Sequence, residues 1–225
     1  MSAHTAIIIP AFNEEAHLQA TLQSLRHPAF SGSEVIVVND GSTDKTGDIA
    51  QVWAHRVIHN ERNRGKGYAL FRGVEKTDAD YFLFIDADLG NSACHTAALL
   101  QKLRENKGVD LVIASFPPGK QSGFGLVKQA ARRSIRQLTG VTLGEPLSGQ
   151  RGLSRSAVKT IRSWDCGFGI EVAMTIDIVQ AGLAVCEIPL PLSHRETGKT
   201  LPGFLHRGRQ YAAICNVLIQ KRIRG

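Results

Sequence analysis

The sequence predicts an α/β fold, a mostly parallel sheet with helices on both faces, contained in one domain spanning residues 1–225. Three observations lead there. Five short runs, residues 5–9, 34–38, 56–58, 81–85 and 110–114, are apolar at successive positions and bounded by Gly, Asp, Asn or Pro, as strands buried on both faces are. Segments with helical period, residues 14–25, 45–53, 66–75 and 96–106, separate those runs. The composition, 43% hydrophobic and 21% charged over 225 residues, suits a water-soluble domain with a sizeable core. In such a sheet, ligands bind beyond the carboxyl ends of the strands.

After residue 115 the rhythm changes. A Gly/Pro/Ser-containing stretch at 117–125 leads into a helix at 126–138, with Leu126, Ala130, Ile135 and Leu138 on one side and Lys128, Arg132, Arg133 and Arg136 around the rest. A helix at 171–181, a strand at 184–188 and a last amphipathic helix at 203–219 follow, before the basic tail Lys221, Arg222 and Arg224. No repeat, low-complexity tract or linker divides the chain. The formal charge of +7 is unevenly spread: residues 1–115 carry a net −3 and residues 116–225 a net +10. A basic excess points to anionic partners, but its confinement to one half argues against a nucleic-acid binder, as do the absence of a reader motif and the 6% aromatic content. Cys94, Cys166, Cys186 and Cys215 form no CxxC pair and no secretory signal precedes them, so a reduced, cytoplasmic setting is expected. The longest apolar runs fall far short of the roughly 20 residues that span a bilayer. Peripheral attachment at the inner membrane face stays open.

Chemistry-bearing residues cluster where strands should end. Asp86-Ala87-Asp88 follows the run YFLFI; alternate residues share a face of a strand, so the two carboxylates can project together and offer hard oxygens to Mg2+ or Mn2+. Asp40, in VIVVNDGSTD, can accept hydrogen bonds from a ribose hydroxyl or a base N–H, and Gly41 allows close backbone approach. Ser42 or Asp44 is expected to cap the next helix. The first strand ends in Pro10-Ala11-Phe12-Asn13-Glu14-Glu15, again at a strand-to-helix junction. Arg64-Gly65-Lys66-Gly67 opens a helix, aiming a cation and unpaired backbone N–H groups at one spot, which suits a phosphate. Gly198-Lys199-Thr200 is not a P-loop, because Ser193 stands where the pattern needs glycine.

Taken together, PAFNEE, VVNDGSTD, ERNRGKGYAL and FIDADL resemble the nucleotide-binding half of family 2 glycosyltransferases with a GT-A fold, a Rossmann-like nucleotide-binding sheet. The matching motifs run from Ile7 to about Gly208. The resemblance implies that Pro10, Asn13, Glu14 and Asp40 hold the base and ribose of a nucleotide diphosphate sugar, with Lys66 and Asp86 also on the donor, and that Asp86 and Asp88 hold the metal on its diphosphate. It further implies a donor half, 1–115, and an acceptor half, 116–225.

In the second half, Ser148-Gly149-Gln150-Arg151 and Gly167-Phe168-Gly169-Ile170-Glu171 resemble the family's acceptor-side motifs. Glu171 heads a helix whose neighbours Val172, Met174, Ile176 and Ile178 are apolar, a setting for accepting a proton from an acceptor hydroxyl; Asp165 is the reserve. The resemblance makes His194 a third metal ligand and leaves inversion or retention at the anomeric carbon open. Arg195 and Lys199, with Gln150 and Arg151, are placed to bind the diphosphate or an acceptor phosphate. The expected reaction is metal-dependent transfer of a hexosyl group to a phosphorylated acceptor. Two cationic amphipathic helices favour polyprenyl phosphate at a membrane surface, with a small soluble ester such as 3-phosphoglycerate second. A non-catalytic nucleotide-sugar sensor is the rival from another class.

Overall fold

The computed structural model describes residues 3–106, 108–115 and 125–192. Among them, strands β1 (Thr5–Ala11), β2 (Ser33–Asn39), β3 (Arg56–His59), β4 (Tyr81–Phe84), β5 (Leu111–Ser115), β6 (Arg151–Ser154) and β7 (Val185–Pro189) form one sheet in the order β3-β2-β1-β4-β6-β5-β7. The β1/β2, β2/β3, β1/β4 and β5/β7 pairs are parallel, whereas β6 runs antiparallel between β4 and β5. The chain winds from β1 outward to β3 and then returns to place β4 on the other side of β1. This reversal leaves a crevice at the carboxyl ends of β1, β2 and β4, where an open α/β sheet takes its ligand.

Strand alternation assigns the core to two faces. Ile8, Ile36, Val38, Phe82 and Phe84 pack with residues of α3 (Lys66–Val74), α5 (Gly125–Thr139), α6 (Arg155–Thr160) and α7 (Ile170–Gln180). On the opposite face, Ile7, Ile9, Val35, Val37, Leu83 and Ile85 pack with α1 (Leu18–Ser24), α2 (Thr46–Trp53) and α4 (Ala97–Glu105). Each such side chain fully removed from water contributes about 1.5–3 kcal/mol. Residues 170–178 of α7 are all buried, and that helix is apolar almost all round. Its polar exceptions are therefore informative.

The alternation expected for residues 1–115 is present, with three local differences. The first helix begins at Leu18 rather than 14, because the preceding residues are held in a bend by the loop after β2. β4 ends at Phe84, and the two aspartates stand in the turn beyond it rather than on the strand. A 3-10 segment of about two turns (Gly90–Thr96) precedes α4. In the second half, the buried stripe of α5 is Val127, Ala131 and Ile135, with Leu138 half-buried. Ala130, expected on that stripe, is only partly covered. The expected helix at 203–219, the basic tail and Cys215 lie outside the described residues. No helix among the described residues is long and apolar enough to cross a membrane.

Candidate active site

The loops after β1 and β2 are laced together by their own polar groups. Asn13, at φ 54°, donates its backbone N–H to Ser42 Oγ (3.0 Å), and its Oδ1 accepts from Thr43 N (2.9 Å). Glu14 N donates to Thr46 Oγ1 (2.8 Å) and Glu15 N to Asp44 Oδ2 (3.1 Å). Asp44 Oδ1 accepts from Thr46 N (3.0 Å) at the start of α2. Neither of the two residues expected to cap that helix is its N-cap, which is Lys45: Asp44 stands one residue before it, and Ser42 holds Asn13. Pro10 is half-buried at the end of β1, and Glu14 Oε2 lies 3.2 Å from His17 Nδ1.

Asp40 is 3% exposed, and its carboxylate accepts hydrogen bonds from Asn60 Nδ2 (2.7 Å), Arg64 N (3.0 Å) and Gly65 N (2.8 Å). Before any ligand arrives it thus anchors the loop that starts α3. Asn60 was not singled out in the sequence, because an asparagine after a short edge strand carries no motif. Gly41, at φ 75°, is required where it stands: a Cβ there would lie 2.6 Å from the Arg62 carbonyl carbon. The Arg64 guanidinium stacks over the Tyr68 ring at 3.6 Å.

Anchoring that loop aims Lys66 at the centre of the crevice. Its Nζ lies 2.6 Å from Asp86 Oδ1 and 2.8 Å from Glu171 Oε1. Gln150 Nε2 donates to Asp86 Oδ2 (2.9 Å). Four sequence-predicted site residues from α3, the turn after β4, the entrance to β6 and the first turn of α7 therefore meet. The antiparallel run of β6, with Phe84 opposite Arg151, is what brings Gln150 to the carboxyl end of β4. Partial burial by itself disfavours the Lys66 charge, but Asp86 and Glu171, through charge and hydrogen bonds, outweigh it and raise the pKa above its ordinary 10.5. A raised folded value means that the contribution to stability is fully present below about pH 10.5 and is lost only as pH climbs through the folded value. In denaturation curves, the stability deficit of Lys66→Met relative to the parent is expected to be constant from about pH 7 to 9.5 and to shrink above 10.5.

Gly149 lies directly against this cluster. A Cβ there would fall 2.4 Å from Lys66 Nζ and 2.5 Å from Asp86 Oδ2. Gly149→Ala is expected to separate the pair while leaving the core intact, so activity falls about 100-fold, the scale of an ångström-sized misplacement. Thermal denaturation, with a midpoint close to that of the parent, checks that the loss is local.

Arg151, expected at the acceptor, is 1% exposed. Its Nε donates to Ser148 O (2.8 Å), Nη2 to Pro146 O (2.9 Å) and Nη1 to Thr175 Oγ1 (2.9 Å), and Thr175 Oγ1 donates to Glu171 O (2.8 Å). Burial, offset by Glu171, Glu187 and Asp86, pushes its pKa down to about 10, which leaves it charged at neutral pH. The guanidinium thus lies beneath the site with all three kinds of donor nitrogen engaged within the chain. Glu187 on β7 accepts from Gly144 N and Glu145 N (2.6 Å each), and Lys128 and Arg132 of α5 bind Glu145 and the Gly144 carbonyl. Two of the four cations of the expected membrane-facing helix are turned inward in this way, while Arg133 and Arg136 remain exposed. Asp165 is exposed in the loop before α7. His194, Arg195 and Lys199 lie outside the described residues.

Asp86 and Asp88 flank buried Ala87, and both residues are partly exposed in the turn beyond β4. Among the described residues no group of three or more His, Cys, Asp or Glu side chains could hold a metal ion. Two carboxylates at a rim fit a hard cation that completes its shell with water and diphosphate oxygens, rather than one caged by protein.

A Rossmann-like sheet with loops laced over its carboxyl edge, an Asp-Ala-Asp turn and a lysine bridging two carboxylates defines a GT-A fold. The chain belongs to glycosyl transferase family 2, whose family model matches residues 6–162. It is 30% identical to the glucosyl-3-phosphoglycerate synthase of Mycobacterium tuberculosis over 195 residues, covering 76% of this chain and 60% of the relative's length. It is also 30% identical over 211 residues to the undecaprenyl-phosphate mannosyltransferase of Micrococcus luteus, covering 86% of this chain and 85% of that one. Crystal structures of the M. tuberculosis synthase superpose with TM-scores of 0.80 for the complex with phosphoglyceric acid (28% identity) and 0.79 for that with Mn2+, uridine diphosphate and phosphoglyceric acid (27% identity). They cover 98% of this chain and 80% and 78% of theirs, respectively.

Proposed function

We propose that the protein transfers a hexosyl group from a uridine diphosphate sugar to a small phosphorylated acceptor such as 3-phosphoglycerate, with Mg2+ or Mn2+ as cofactor. The observation that carries this reading is the convergence of Lys66, Asp86, Gln150 and Glu171 beside Asp88 at the crevice. Asp88, with Asp86 two residues before it in the same turn, would hold the cation. His194 is a further ligand from the segment beyond 192. The cation, when bound, neutralises charge on the departing diphosphate. Pro10, Asn13, Glu14 and Asp40 form the base and ribose end, and Asp40 acts chiefly by fixing the Asn60–Gly65 loop. Lys66, with Asp86, lines the place where the sugar sits.

In the transfer the bond from the anomeric carbon to the diphosphate oxygen breaks, and a bond from that carbon to the acceptor oxygen forms. The acceptor hydroxyl proton passes to Glu171 and then to solvent, and the electron pair leaves with the nucleoside diphosphate. Gln150, Arg195 and Lys199 meet the acceptor phosphate, while Arg151 supports Glu171 from below through Thr175.

A lipid phosphate acceptor is the second reading, supported by the similarity to the mannosyltransferase over 85% of its length. The inward turn of Lys128 and Arg132 weighs against it by removing cations that a membrane-docking helix would need. Co-sedimentation with anionic vesicles, alongside turnover of a soluble phosphate ester, decides. The small-acceptor reading expects turnover without vesicle binding; vesicle binding with transfer only to polyprenyl phosphate overturns it.

A further inference from the structure

Thr21 is a fully buried polar residue on α1, on the face of the sheet opposite α3 and α7. A threonine inside a helix commonly returns its hydroxyl to the carbonyl one turn back. Here the hydroxyl reaches across the fold instead: Oγ1 donates to Ala87 O (2.7 Å) and accepts from Gly90 N (2.8 Å). One turn further along α1, Ser24 Oγ repeats the arrangement, donating to Asn91 O (2.9 Å) and accepting from Cys94 N (2.9 Å). Two hydroxyls at i and i+3 thus hold the main chain that follows Asp86. Gly90, at φ 53°, supplies the bend that turns its N–H to Thr21.

The carbonyl of Ala87 and the N–H of Asp88 belong to one planar peptide unit. Fixing that carbonyl orients the backbone from which the Asp88 carboxylate projects. The two aspartates are therefore secured from opposite sides: Lys66 and Gln150 hold the side chain of Asp86 from above, and α1 holds the main chain of Asp88 from below. We propose that Thr21, backed by Ser24, is the positioning residue that presents Asp88 to the divalent cation. The proposal rests on the assignment of Asp88 as metal ligand made above.

Thr21→Val keeps the shape and removes the hydroxyl, stranding the Ala87 carbonyl and the Gly90 N–H; Thr21→Ser keeps the hydroxyl. The measurement is Mn2+ affinity by titration calorimetry with UDP present, and UDP affinity without metal. Thr21→Val is expected to weaken Mn2+ binding about tenfold, the lower end for loss of a partner that orients a ligand. It leaves metal-free UDP binding unchanged, and Thr21→Ser restores Mn2+ affinity. Unchanged Mn2+ affinity in Thr21→Val, an equal loss of metal-free UDP binding, or no rescue by serine overturns the proposal. If Thr21→Val does not fold, Ser24→Ala carries the test: weaker Mn2+ binding with UDP binding intact supports it, and unchanged Mn2+ affinity overturns it. A parent protein that binds UDP with no response to Mn2+ overturns the functional reading itself, an outcome seen before any variant is made.

Discussion

Asp88→Ala is expected to lower turnover about 1,000-fold, equivalent to about 4 kcal/mol of lost transition-state stabilisation. Asp88 stands in the turn beyond β4 and is one of the residues that would hold the cation. Its removal leaves the charge of the departing nucleoside diphosphate to Lys66 and the basic residues beyond 192. The apolar core is expected to persist, because Asp88 belongs to neither core cluster. The check is steady-state turnover combined with a thermal melt. In the parent, Mn2+ with UDP raises the melting midpoint through preferential binding to the folded state. The variant is expected to keep its basal midpoint and lose the metal-dependent increment. Retention of that increment would relocate the metal to other residues.

Glu171→Gln is the second large effect. The substitution keeps the side chain's size at a position 8% exposed, and Lys66 retains Asp86 at 2.6 Å, so the fold is expected to persist. What disappears is a proton acceptor, and kcat should fall about 100- to 10,000-fold, the range of general base catalysis. The KM for the donor should change little, since the diphosphate and base contacts are made by other residues. A kcat/KM loss carried wholly by the donor KM would instead make Glu171 a ligand of the sugar.

Much of the first 115 residues was legible in the sequence because parallel strands covered on both faces are locally simple. Runs such as AIIIP and VIVV can hardly be anything but buried strand, and the intervening helices carry a clear apolar stripe. The placement of the candidate donor residues followed, since Asp40, Lys66, Asp86 and Asp88 stand in loops or at a helix start beyond strand ends. β6 was not legible. Arg151–Ser154 reads RGLS, without alternation or β-branching, and becomes a strand only because β4 and β5 leave a slot between them. Without β6, the meeting of Gln150 with Asp86 could not be foreseen. Arg151 looked like a phosphate ligand for a related reason: an arginine in a Ser-Gly-Gln-Arg run carries no local sign that main-chain oxygens distant in space will bury it. On α5, tertiary pairing of Lys128 and Arg132 with the loop ahead of β6 changed the meaning of a face that amphipathic pattern alone presented as cationic. The Thr21 and Ser24 hydroxyl pair had no sequence signature either, because each acts on chain 66 to 70 residues away.

The central claim, that a divalent cation at Asp88 and the Lys66–Glu171 cluster serve sugar transfer from a uridine diphosphate sugar, is tested most directly by product analysis. The purified protein is incubated with UDP-glucose and 3-phosphoglycerate, with Mn2+ or with chelator, and the mixture is analysed by mass spectrometry. Equimolar UDP and glycosylated phosphoglycerate are expected with Mn2+ and none with chelator. Product formation undiminished by chelator, or an intact donor with Mn2+ across a panel of nucleoside diphosphate sugars and phosphorylated acceptors, would contradict that claim.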